Sequence, residues 1–257
     1  MLSLTQIADK HRTDKGSLGP RRDRPPNYYT DVYSAYLERY RDKPIDFLEI
    51  GLGVSGAQWT AELVTDVNPR GGASMKTWYE YFPRARIFGV DINECRWLDN
   101  DRVKTFVADQ GSPAQLEAFV KATGVSQFDA IIDDGSHRPD HQQVTLGVLF
   151  KYLKPGGLYF IEDLANNGAG DGAEGRTTSA AAVNTRRLLR HFKDTGTFLA
   201  PNTLVDAERL ARDIDFVAFH CTRPSFRLVF GGSLSRLVRR IPVYREGRER
   251  VVVLGKR

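Results

Sequence analysis

Only two cysteines occur, Cys95 and Cys221, far apart and without the paired spacing that a thiolate metal site or a disulfide framework needs. They read as reduced, incidental thiols. No apolar run approaches the roughly 18 to 20 residues that cross a bilayer; the longest are of strand length and are broken by Asp or Gly. The first fifteen residues carry Asp9, Lys10, Arg12 and Asp14 where a secretory leader needs an unbroken apolar stretch. No membrane partner is expected, and the chain reads as cytoplasmic. Blocks of one charge are also scarce, because the net +5 is spread over interspersed acids and bases. The exceptions are Arg21, Arg22 and Arg24 near the start and Arg236, Arg239, Arg240, Arg245, Arg248 and Arg250 near the end. These read first as solvated surface and second as a patch for an anionic partner. With no aromatic-rich recognition module beside them, nucleic acid is not expected.

What is present is a chain of 257 residues, 41% hydrophobic, enough for one sizeable core and a single domain over 1–257. Strand and helix signals alternate from residue 45 onward, the pattern of a parallel sheet covered on both faces. The predicted strands are Ile45 to Ile50, Ala85 to Asp91, Val103 to Ala108, Phe128 to Asp133, Gly157 to Glu162, Ile214 to His220 and Arg250 to Leu254. The fold class expected is α/β, a doubly wound, mostly parallel sheet of seven strands. Helical spacing marks Pro113 to Thr123 and His141 to Leu153, the latter stopped by Lys154-Pro155-Gly156-Gly157. Two segments fall outside the alternation. Residues 166–176 carry four glycines and almost no apolar side chain, and are expected to form a mobile lid loop. Residues 223–249 are harder to place, with Phe226 to Phe230 as a strand of its own.

Chemistry concentrates where the strands end. The first closes in Glu49-Ile50-Gly51-Leu52-Gly53, and Gly51, Gly53 and Gly56 satisfy the spacing of a dinucleotide fingerprint. The glutamate two positions ahead and the carboxylates further on fit an S-adenosyl-L-methionine site better than a dehydrogenase. Asp91, ending the second strand, can accept two hydrogen bonds from ribose hydroxyls, and Asp109-Gln110, ending the third, can reach the adenine. A helix cap for Asp91 and a turn for Asp109 stand as alternatives. The fourth strand runs into Asp133-Asp134-Gly135-Ser136-His137, with His141 one helical turn on. Tyr159-Phe160-Ile161-Glu162-Asp163 repeats the arrangement on the expected neighbour. Asp134, Glu162 and Asp163 would then converge as oxygen ligands of the kind Mg²⁺, Mn²⁺ or Ca²⁺ prefer, and a cation would relieve the cost of burying three carboxylates. The alternative leaves Asp133 and Asp163 as strand-end caps without a metal. His137 has a suitable pKa for a general base, or is a turn histidine; His141 is more structural.

Together these motifs resemble the metal-dependent sugar O-methyltransferases that act on macrolide deoxysugars and rhamnosyl groups, whose relatives include cephalosporin-hydroxylase-like proteins. The matching pieces are Thr13-Asp14-Lys15-Gly16, Tyr29-Thr30, Leu48-Glu49-Ile50-Gly51, Gly72-Ala73-Ser74 with Trp78, Tyr81-Phe82-Pro83, Gly89-Val90-Asp91, Ala108-Asp109-Gln110, Ile132 to His137 and Ile161-Glu162-Asp163. The resemblance implies a Rossmann-like class I methyltransferase fold, Asp134, Glu162 and Asp163 on Mg²⁺, and His137 as the base. It implies Glu49, Gly51, Asp91 and Asp109 at the S-adenosyl-L-methionine site. Thr13, Lys15 and Thr30 would belong to a segment, residues 1–44, that folds over the cofactor. The acceptor implied is a small carbohydrate, a mannoside or deoxysugar, including the 1-hydroxyl of a short methylated mannoside; a homo-oligomer is compatible with this. The chain departs from the family between Gly53 and Gly72, where its connection is longer, and over 166–176. Rival readings are a catechol-type O-methyltransferase, a nucleic-acid methyltransferase and a non-catalytic binder of the cofactor.

Overall fold

A computed structural model describes residues 1–20, 25–54, 65–164, 183–199, 204–222, 225–229, 239–243 and 249–257, leaving out the side chains of 225–229 and 239–243. Its helices are α1 (Leu4–Lys10), α2 (Tyr29–Leu37), α3 (Ala73–Tyr81), α4 (Pro113–Thr123), α5 (Pro139–Leu149), α6 (Thr185–Thr195) and α7 (Ala207–Asp213). The strands are β1 (Asp46–Ile50), β2 (Arg86–Asp91), β3 (Val103–Val107), β4 (Phe128–Asp133), β5 (Leu153–Ile161), β6 (Ile214–His220), β7 (Ser225–Val229), β8 (Arg239–Val243) and β9 (Val251–Lys256). Seven of them form one sheet in the order β3-β2-β1-β4-β5-β9-β6, parallel except for β9, which runs antiparallel to both β5 and β6. This is the Rossmann-like methyltransferase arrangement expected from the sequence.

Both faces of the sheet are covered, so the central strands are apolar on both sides. Their side chains alternate between two cores. Leu48, Ile131, Tyr159, Ile161, Val252 and Leu254 join the core under α4, α5, α6 and α7. Phe47, Ile132, Leu158, Phe160, Val251 and Val253 join the core under α1, α2 and α3. Local chemistry fixes the helix ends. α4 begins with the Ser112 hydroxyl accepting from the Gln115 N–H and Pro113 in its first turn, and stops at Gly124 in the left-handed region. α1 starts on a capping box between Ser3 and Gln6.

Three differences from the sequence reading have physical causes. The helix expected over His141 to Leu153 starts earlier, at Pro139, and gives way to a 3₁₀ turn at Phe150–Tyr152, because Leu153 is drawn into the sheet opposite Phe128. The Lys154 to Gly157 turn is therefore an irregularity inside β5, where the register shifts between Phe128 and Ala130. The strand expected at Phe226 to Phe230 exists as β7, but pairs with β8 in a separate two-stranded sheet. The proposed lid over 166–176 lies outside the described residues.

Candidate active site

The site is built by register. β4 pairs with β5 so that Asp133 lies opposite Ile161, and the ladder continues with the Glu162 N–H donating to the Asp133 carbonyl at 3.0 Å. Asp134 and Glu162 therefore leave the sheet at one level, at the carboxyl edge where open α/β sheets bind ligands. Both chain turns are tight there: His137 and Asp163 hold φ of 59° and 53°, unusual for residues with side chains. Asp134, His137 and Asp163 each offer one ligand atom, all within 4.8 Å of one another. His137 Nε2 lies 3.5 Å from Asp163 Oδ2.

Glu162, expected as a third carboxylate ligand, is engaged differently. Its Oε1 accepts from Lys15 Nζ at 2.7 Å and from the Tyr33 hydroxyl. Lys15 also donates to Asp134 Oδ2 and lies 3.6 Å from Glu49 Oε1. Only 2% of Lys15 is exposed. Burial pulls its pKa down, but Asp134, Glu162 and Glu49 outweigh this and hold it well above the usual lysine value. One ammonium does not balance three carboxylates. Burial pushes Glu49 up to about 7 against the pull of Lys15, and burial with the charge of Asp134 pushes Glu162 up.

Asp163 sits in the opposite environment. Its Oδ1 accepts from the Tyr29 hydroxyl at 2.6 Å and from Arg250, leaving Oδ2 toward His137. Burial works against ionisation, yet His137, Arg250 and the Tyr29 hydrogen bond hold its pKa down at about 2. Sequence reading left Arg250 among surface arginines. The structure half-buries it against Asp163 and Tyr29 because β9 is antiparallel: its first end meets the ligand edge, and the Leu164 N–H bonds the Arg250 carbonyl at 3.1 Å. The signal available was its place immediately before the apolar Val251 to Leu254. Tyr29 and Tyr33, four residues apart on α2, could have been read as one helix face aimed at the strand ends.

Around this cluster, Arg12, Thr13, Asp14, Lys15, Leu52, Gly53, Ala73, Ser74 and Asp134 line a crevice of about 310 Å³, its open mouth included. Of the residues expected at the cofactor, Thr13 and Lys15 line it. Glu49 stands behind it, accepting from the Ser74 hydroxyl at 2.7 Å. Thr30 braces the cover, its N–H donating to the Lys15 carbonyl at 3.0 Å. Gly51 packs against a neighbouring turn: at φ 81° a Cβ there would stand 2.2 Å from the Asp134 carbonyl oxygen. Asp91 accepts from the Leu52 N–H at 2.9 Å and the Asn93 N–H at 2.8 Å, fixing the loop after β1. Asp109 accepts from the Gly111 N–H at 2.8 Å within its turn. Gln110, expected at the adenine, uses both ends of its amide on the 133–136 turn. It donates to Asp133 Oδ1 at 2.6 Å and accepts from the Ser136 N–H at 2.9 Å. His141, expected to be structural, has its Nδ1 2.9 Å from the Ser136 hydroxyl.

No family model matches the chain. Against curated proteins, 162 residues are 38% identical to the 8-demethyl-8-(2-methoxy-alpha-L-rhamnosyl)-tetracenomycin-C 3'-O-methyltransferase of Streptomyces olivaceus, covering 63% of this chain and 36% of that protein. Over 254 residues it is 30% identical to the L-olivosyl-oleandolide 3-O-methyltransferase of Streptomyces antibioticus, covering 95% of this chain and 59% of that one. Its homologues are sugar O-methyltransferases. The chain spans only about a third of the length of most curated relatives it matches. Among solved structures, the MycE methyltransferase from the mycinamycin biosynthetic pathway, in complex with Mg, SAH and mycinamycin VI, superposes with a TM-score of 0.66 at 24% identity, covering 99% of this chain and 54% of that one. That likeness establishes the methyltransferase fold. Among the described residues no helix is long and apolar enough to cross a membrane.

Proposed function

We propose that the chain is an S-adenosyl-L-methionine-dependent O-methyltransferase that uses Mg²⁺ or Mn²⁺ and acts on a sugar hydroxyl. The observation that carries the reading is the convergence of Asp134, His137 and Asp163 within 4.8 Å at the ends of two neighbouring strands, beside a crevice floored by the loop after β1. The donor set fits a hard divalent cation, since carboxylate oxygens dominate and the surrounding carboxylates exceed Lys15 and Arg250 in charge. Asp134 and Asp163 would hold the ion, with Glu162 available when Lys15 releases it. When bound, the cation supplies charge stabilisation for a hydroxyl oxygen losing its proton. The residues of the chain do the rest. Thr13, Lys15, Ser74 and Glu49 position the donor in the crevice, Asp91 and Asp109 shape the ribose and adenine side, and His137, whose Nε2 lies 3.5 Å from Asp163 Oδ2, takes the hydroxyl proton.

The membership of His137 in the ligand cluster favours a second role, as a metal ligand rather than the base. The acceptor proposed is a small glycoside, a deoxysugar or a mannoside, the 1-hydroxyl of a short methylated mannoside being the most specific form. The test is formation of S-adenosylhomocysteine with rhamnosides, mannosides and catechols, with and without EDTA, followed by locating the new methyl ether. Turnover undiminished by EDTA removes the metal, and turnover on catechols alone replaces the sugar by an aromatic diol.

A further inference from the structure

We infer that the Lys15 ammonium is a built-in counter-cation that exchanges with the divalent ion, so that metal binding expels it from between Asp134 and Glu162. The inference rests on the metal-dependent reading above. Lys15 Nζ stands where the oxygens of two neighbouring strand ends point together, 2.7 Å from Glu162 Oε1 and hydrogen-bonded to Asp134 Oδ2. An ion held by Asp134, His137 and Asp163 shares its Asp134 ligand with Lys15, and taking Glu162 as well would need the place the ammonium fills, at the shorter distances of metal to oxygen bonds, about 2.0–2.1 Å for Mg²⁺. Two cations do not share it.

The fold permits the exchange without moving the backbone. The Lys15 carbonyl is held by the Thr30 N–H at 3.0 Å, and its own N–H lies 3.4 Å from the Thr13 hydroxyl, while four rotatable bonds separate the ammonium from that anchor. The crevice lined by Arg12, Thr13, Asp14, Leu52 and Ser74 opens beside it, on the side toward which the displaced ammonium would turn. In the ion-free state Lys15 offsets part of the charge that Glu49, Asp134 and Glu162 would otherwise turn on one another. In the loaded state it turns toward the crevice, where it adds positive charge for an anionic group such as a carboxylate.

Exchange has two measurable consequences. In the wild-type chain, saturation with Mg²⁺, verified by calorimetry, raises the reactivity of Lys15 toward an amine-acylating reagent several-fold, read by peptide mass spectrometry. In Lys15→Met the ion no longer competes with an occupant, and Mg²⁺ binds about tenfold or more tightly, as for a site whose competent state was populated to about a tenth. Lys15 still protected in the Mg²⁺-saturated wild-type chain, or Lys15→Met binding Mg²⁺ no more tightly than wild type, overturns the exchange and leaves the metal site standing. Wild type that binds neither Mg²⁺ nor Mn²⁺ overturns both. The acylation measurement uses the native chain and does not depend on the variant folding.

Discussion

Two residues at the ligand edge separate chemical from structural requirements. His137 either takes a proton or ligates the ion, and the two roles part on binding. If it is the base, His137→Ala loses about 10²–10⁴-fold in turnover while Mg²⁺ and S-adenosylhomocysteine affinities, measured by calorimetry, stay within a factor of two or three of wild type. A collapse of Mg²⁺ affinity in that variant would instead make His137 a ligand. Gly51 makes a purely steric demand, since its φ of 81° and the Asp134 carbonyl, 2.2 Å from the position of a Cβ, leave no room for a side chain. Gly51→Ala should lower unfolding free energy by about 2 kcal/mol or more, at the upper part of the strain range, in urea titration. An unchanged midpoint would refute the backbone contact. The glycine was legible in the sequence as a special position, but its contact with the turn after β4 was not. A ligand approaching the backbone and a neighbouring turn approaching it leave the same residue in the chain.

At the scale of elements, the antiparallel β9 delivers Arg250 to Asp163 and Tyr29, an arrangement that links the end of the chain to α2. Arg250→Met deletes charge-assisted hydrogen bonds in a partly buried place and should destabilise by about 1.5–3 kcal/mol, read as a shift of the thermal midpoint; a shift within error would mean Tyr29 alone suffices. A second contact reaches α2 from β6. The Tyr36 hydroxyl lies 3.0 Å from His220 Nε2, and burial, helped by the charge of Lys193, lowers the His220 pKa. The unfolded chain then takes up a proton near its ordinary value of about 6.5 before the folded chain does. Stability carried by neutral His220 is complete above that value and lost as pH falls toward the lowered folded pKa. His220→Gln should therefore flatten the acid limb of the melting curve between pH 7 and 5, and an equal slope in both proteins would exclude the coupling. A strand such as Phe128 to Asp133 was readable to the residue because an apolar run buried on both faces leaves no second interpretation. Partners across the sheet were not, because Arg250 and Glu162 meet their neighbours through register and strand direction, which no local pattern encodes.

For the whole molecule, the carboxyl edge of the sheet gathers Glu49, Asp134, Glu162 and Asp163 from three strands, while β9, α2 and the 12–16 segment answer with Arg250, Tyr29, Tyr33 and Lys15. Sequence reading found the acids, since each ends an apolar strand, and missed that the fold supplies its own cations to hold them. This balance predicts how the folded state responds to metal. A ligand that binds the native chain and not the unfolded one stabilises by RT ln(1 + [L]/Kd), about 2.7 kcal/mol at one hundred times Kd. Mg²⁺ or Mn²⁺ should raise the melting temperature progressively with concentration, and EDTA should return it to a finite, ion-free value, because Lys15 already compensates part of the buried charge. That intermediate outcome is diagnostic. Complete unfolding in EDTA would mean the internal cations contribute nothing to folding, and a melting curve indifferent to Mg²⁺, Mn²⁺ and EDTA alike would mean the strand-end carboxylates bind no ion.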